Sequence, residues 1–73
     1  MAIARVALPV GAWQLFDYWI PDGLQVDAGD IVRVKLAGRA YAGVVTALEQ
    51  ASDFGDRVQP VESIAGVRRI PAE

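Results

Sequence analysis

Apolar residues recur at every second position in short runs broken by turn residues, which is the pattern of strands. Ile3-Ala4-Arg5-Val6-Ala7-Leu8 sets Val6 and Leu8 on one face and Arg5 on the other. Pro9 has no N–H to give a ladder, so it ends this first predicted strand. Val10 to Gln14 reads as a loop whose Trp13 indole lies over the edge of the core, and it feeds a strand over Phe16 to Ile20. Pro21-Asp22-Gly23 and Asp27-Ala28-Gly29-Asp30 are turns, with Asp bonding local backbone and Gly taking a positive φ. Ile31 to Leu36 is the clearest strand: Val32, Val34 and Leu36 point one way, Arg33 and Lys35 the other with Ile31. Ala37-Gly38-Arg39 connects it tightly to a strand over Ala40 to Leu48, in which Gly43 marks a bulge or a close backbone approach. Glu49 to Asp56 is a polar loop with Phe54 as its apolar anchor. Val58 to Ile64 is a last strand that tolerates Pro60 only at an edge, and Val67 to Ile70 adds a short one. No window keeps a helical stripe free of Gly or Pro. The expected fold is all-β: a small, twisted, partly closed antiparallel barrel of five or six strands, OB-like or SH3-like in shape.

The 73 residues suit one domain, near the size at which a single core is only marginally stabilising. No run approaches the roughly 20 apolar residues that span a bilayer, and Met1 to Pro9 lacks a signal peptide's basic start, so no membrane and a cytoplasmic location are expected. The absence of Cys and His removes structural zinc, disulfides, thiol catalysis and imidazole bases. Neither GxxxxGK[ST] nor GxGxxG occurs, so this chain is not expected to hydrolyse ATP. No cofactor, metal or catalytic residue is expected. The net charge of −2 argues against a protein that coats nucleic acid by neutralising phosphates. Any such contact has to be local.

Leu15-Phe16-Asp17-Tyr18-Trp19-Ile20 surrounds a single charge with large apolar groups. Alternation puts Leu15, Asp17 and Trp19 on one face and Phe16, Tyr18 and Ile20 on the other. Asp17 has two readings. In one it caps a turn or pairs with an arginine on a neighbouring strand, and the aromatics are core. In the other it accepts a hydrogen bond from a sugar hydroxyl while a ring stacks on a base. Asp22, Asp27 and Asp30 flank glycines and are explained by turn chemistry rather than by a metal. Arg33 with Lys35 reads as a solvated stripe, Arg68-Arg69 as a polar end of the domain.

Arg5-Val6-Ala7-Leu8-Pro9-Val10, then Phe16-Asp17-Tyr18, Pro21-Asp22-Gly23, Val26, Ala28-Gly29 and Val32-Arg33-Val34 follow one another in the order and spacing of a known domain. The ordered set resembles the N-terminal 3′-end DNA-binding domain of the primosomal replication-restart helicase PriA, with Gly43-Val44-Val45 and Val58 to Ile64 continuing it loosely. The resemblance implies a non-catalytic module that binds the 3′ end of a nascent leading strand at an arrested fork and positions a helicase. It implies that Asp17 accepts from the 3′-hydroxyl, that Phe16, with Tyr18 beside it, bounds the last base, and that the Gly38 turn lets backbone approach. Gln59 stands where the family uses a Lys, with Arg57 two residues before it, so Arg57 or Lys35 is expected to steer phosphate. The implied partners are DNA with a free 3′ end, forked DNA, the remainder of a helicase chain and primosome proteins, in the bacterial cytoplasm at the nucleoid. Full members add a winged helix, two helicase lobes and a zinc module. The chain is thus expected to be either an isolated domain of a larger protein or a shortened relative, the linker-like Pro71-Ala72-Glu73 favouring the isolated domain. Two alternatives come from other classes: an interaction barrel that docks helicase lobes or a restart partner through Trp13, Trp19 and an edge strand, and a small hydrolase using Asp17 with a second acid.

Overall fold

The computed structural model describes residues 2–52 and 58–66. Six strands form one sheet: β1 (Ile3–Val10), β2 (Ala12–Trp19), β3 (Ile31–Leu36), β4 (Arg39–Glu49), β5 (Gln59–Pro60) and β6 (Ser63–Gly66). Their order is β5-β2-β1-β4-β3-β6. The two flanks of this order are joined by one short segment. Val61 N–H donates to the Trp19 carbonyl of β2 at 2.9 Å, and the next amide, Glu62, donates to the Arg33 carbonyl of β3 at 2.8 Å. Neighbouring residues reach both flanks only because the sheet curls into a half-barrel. The all-β barrel reading therefore holds.

Alternation supplies the core. Ala4, Val6 and Leu8 of β1, Tyr18 of β2, Val32 and Val34 of β3 and Val45 of β4 are buried together with Val26 and Val61. Those on strands come from the inward half of each, and Val26 and Val61 join them from the connecting segments. Both foreseen turns form: Leu24 N–H donates to the Pro21 carbonyl at 3.2 Å, and Asp30 N–H to the Asp27 carbonyl at 3.1 Å. Gly23 and Gly29 take the positive φ these turns need. The Asp30 carboxylate accepts from the Asp27 amide at 2.9 Å, a backbone role.

Several expectations need correction. Pro9 does not end β1 but pairs with Trp13. The Ile20 amide bonds the Ala2 carbonyl, so along this hairpin Leu8 and Val10 bond β2 while the Pro9 nitrogen faces away, where β4 pairing has already ended at Ala7. No ladder bond is lost. Val10 to Gln14 is no loop: the chain reverses around Gly11, and β2 starts at Ala12. Trp13 is 65% exposed instead of covering the core edge. Of the two readings of Gly43, close approach is the one observed. A Cβ there would meet the Leu8 and Val6 side chains and come within 2.8 Å of the Ala7 carbonyl oxygen. The bulge lies at Thr46 instead, between the pairs Arg5–Ala47 and Val6–Val45.

The last predicted strand is two. β5 runs parallel to β2 and β6 antiparallel to β3, so the sheet is mixed rather than antiparallel, and the chain changes partner at Val61 and Glu62. Pro60 does sit on an edge strand, between Gln59 and Val61. The expectations for Phe54, Val67 to Ile70 and Arg68-Arg69 lie outside the described residues.

Candidate functional site

β5 covers little of the flank of β2. It pairs with Tyr18 and Trp19 alone, leaving the edge from Asp17 back towards the hairpin tip without a described partner strand. Hydrogen-bonded pairs alternate in an antiparallel ladder, so Phe16 and Tyr18 spend their backbone groups on β1, whereas those of Leu15, Asp17 and Trp19 point to this flank. A cleft of about 170 Å³ opens here. Phe16, Asp17 and Tyr18 form one wall, Lys35, Leu36 and Ala37 the facing wall, and Val58 and Gln59 the end. Its volume is below the roughly 300 Å³ at which pockets begin to enclose a drug-sized ligand, so a group seated here is only partly enclosed.

Tyr18 ties the two walls together. Its ring is in the core, and its hydroxyl donates to the Lys35 carbonyl at 2.9 Å. Burial pushes the phenol pKa up. The hydroxyl is thereby committed to structure. Phe16, half-buried against the core, presents its ring to the cleft.

Asp17 sits on the other face of β2, opposite Arg5 of β1 in register. Arg5 Nε donates to Asp17 Oδ1 at 3.1 Å, and Ser52 Oγ donates to Oδ2 at 2.7 Å. Only 5% of the Asp17 side chain is exposed. Burial by itself raises its pKa, but the hydrogen bonds from Arg5 and Ser52, with the Arg5 charge, outweigh it and hold the carboxyl below its ordinary value. At neutral pH Asp17 is an anion that accepts and cannot donate. Two bonds leave part of a carboxylate's roughly four lone-pair positions unused. A residue on the outer face and rings on the inner face share one cleft because an uncovered strand edge is open to both.

Of the residues singled out beforehand, the cleft brings together Phe16, Asp17, Tyr18, Lys35 and Gln59. Lys35 Nζ lies 3.9 Å from Glu62 Oε2, both largely exposed. Gly38 does not line the cleft; its neighbour Ala37 does. The pair forms the two-residue β3–β4 turn with φ of 52° and 79°, the signs a type I′ turn requires. For Ala37 this left-handed conformation costs about 1 kcal/mol. Arg57 lies outside the described residues. Sequence reasoning missed Leu36, Ala37, Val58 and Ser52. Leu36 continues the inward alternation of β3 and so read as core. Ser52, 35 residues from Asp17, gave no signal. The arginine partner of Asp17 was one of the two readings, and it is Arg5.

The model of the PriA 3′ DNA-binding domain (3′BD) family matches residues 5–71, and those residues include the whole cleft and the Arg5–Asp17 pair. The chain belongs to this family of DNA 3′-end-binding domains.

Proposed function

We propose that the cleft holds the terminal nucleotide of a DNA strand, that Asp17 accepts a hydrogen bond from its 3′-hydroxyl, and that this places a replication-restart helicase at an arrested fork. The observation that carries the reading is Asp17, an ionised residue with one hydrogen-bond donor on each carboxylate oxygen, lining a small cleft next to Phe16. The ring bounds the last base, and the Ala37-Gly38 turn offers small residues where the sugar has to approach. Lys35 or Arg57, the latter one residue before the cleft residue Val58 in sequence, supplies positive charge for the adjoining phosphate. An acidic domain can bind DNA in this way because it reads one end rather than many phosphates. An interior nucleotide has no free hydroxyl, and a terminal phosphate would set like charge against Asp17.

Fluorescence anisotropy at low salt tests this with strands ending in 3′-hydroxyl or 3′-phosphate. A hydrogen bond to a charged group is worth about 1.5–3 kcal/mol, so Asp17→Ala is expected to weaken hydroxyl-ended strands roughly ten- to hundredfold and to erase the preference. Equal binding of both ends by the unaltered domain would sink the mechanism. A second reading then moves ahead. Trp13 and Leu15 are 65% and 57% exposed on one face of β2, a surface for docking helicase lobes that Asp17→Ala leaves intact.

A further inference from the structure

We infer that Arg5 and Ser52 are positioning residues of the cleft: each occupies one oxygen of Asp17, so the carboxylate offers the cleft only acceptor positions and selects strands whose 3′ substituent is a hydrogen-bond donor. The inference rests on reading the cleft as a 3′-end site. It adds residues that do not line the cleft and a rule for the ligand's chemistry.

The geometry is that of a clamp built from three elements. Arg5 and Asp17 face each other as a non-hydrogen-bonded cross-strand pair, the closer of the two antiparallel spacings. The guanidinium is steadied from the far side, where Arg5 Nη1 lies 3.8 Å from Glu49 Oε2 of β4. The Arg5 backbone is pinned as well, its carbonyl accepting from Thr46 Oγ1 at 3.0 Å at the bulge. Ser52 reaches the second oxygen from the segment after β4. With one partner a carboxylate turns about its last bond; with a donor on each oxygen its plane is set.

Among the described residues, the charged and titratable groups around Asp17 are Arg5 from β1, Glu49 from β4 behind Arg5, Lys35 from β3 across the cleft and the Tyr18 phenol of β2. Arg5 favours the anion, and Lys35 is paired with Glu62. Glu49 is turned to the other side of Arg5, and the phenol donates to the Lys35 carbonyl. Without Arg5, burial no longer has a counterweight of the same size, and the carboxyl takes up a proton at higher pH. It then becomes a donor in part and loses its selectivity.

The test uses the unaltered domain, Arg5→Met, Arg5→Lys and Ser52→Ala, with two readouts. The first is the titration midpoint of the Asp17 carboxyl by NMR in the absence of DNA. The second is affinity at pH 7.5 and pH 5 for strands ending in 3′-hydroxyl, 3′-amino and 3′-O-methyl groups. The unaltered domain is expected to bind hydroxyl and amino ends at least about tenfold more tightly than the O-methyl end, at both pH values. Arg5→Met raises the midpoint and binds hydroxyl ends more weakly, more so at pH 5. Arg5→Lys restores part of both, and Ser52→Ala shifts both in the same direction by less. An Asp17 midpoint unmoved in Arg5→Met and Ser52→Ala overturns the clamp, whatever the DNA does. If Arg5→Met fails to fold, Ser52→Ala and Arg5→Lys decide in the same way. A moved midpoint with all three ends bound equally by the unaltered domain overturns the 3′-end reading of the cleft and the selection rule with it.

Discussion

Tyr18 divides its labour between ring and hydroxyl, and a single substitution separates the two. Tyr18→Phe keeps the buried ring and removes the bond to the Lys35 carbonyl, leaving that acceptor without its side-chain donor. The expected cost is about 1 kcal/mol in urea denaturation, with little change in slope. The phenol and Asp17 also make stability depend on pH. Asp17 titrates lower in the folded chain than the ordinary carboxyl value of 3.8, so its contribution is present above that pH and is lost as pH falls through the folded value. Tyr18 titrates higher than the ordinary phenol value of 10.0, so its contribution is complete below pH 10 and is lost as pH rises through the folded value. Thermal melts are therefore expected to be flat between these limits and to fall beyond both, and Tyr18→Phe should remove the alkaline fall that the phenol causes. Asp17 was visible in the sequence as the one charge in an apolar stretch. Its second partner was not, because Ser52 is an ordinary loop residue until the fold brings it to the carboxylate.

The strands were legible wherever one face is buried and the other wet. Ile31 to Leu36 alternates without a break, and its limits are those of β3. Pro9 and Gly43 show what alternation leaves out: each depends on which neighbour lies alongside. Pro9 is tolerated because its nitrogen faces no strand, and Gly43 is required because β1 crosses too closely for a side chain. Gly43→Ala drives a methyl group into Leu8, Val6 and the Ala7 carbonyl, and two of these are fully buried core side chains. The expected loss is about 1–3 kcal/mol, read as a lower thermal midpoint. An unchanged midpoint would mean that β1 and β4 move apart at little cost.

The arrangement of the whole sheet was the least legible part. Val58 to Ile64 reads as one strand because its apolar pattern carries no record of its partners, yet its two halves bond to opposite flanks of the sheet. The cleft is equally a product of the whole, since Phe16, Leu36 and Val58 meet only when the half-barrel closes. The segment that closes it also ends the cleft, with Val58 and Gln59 on one side of the hinge point and the Val61 and Glu62 amides on the other. On the 3′-end reading of the cleft, a strand end is bound only while that segment is docked. Release of the segment is a partial opening, and a ligand that requires the docked form suppresses it by the factor 1 + [L]/Kd. Amide exchange at Val61 and Glu62 is then expected to slow about a hundredfold when a hydroxyl-ended strand is present at a hundred times its Kd. Identical rates with and without the strand would show that occupancy and closure are independent. On that reading, the segment that closes the half-barrel and a seated DNA end hold each other in place, each lost more rarely in the presence of the other.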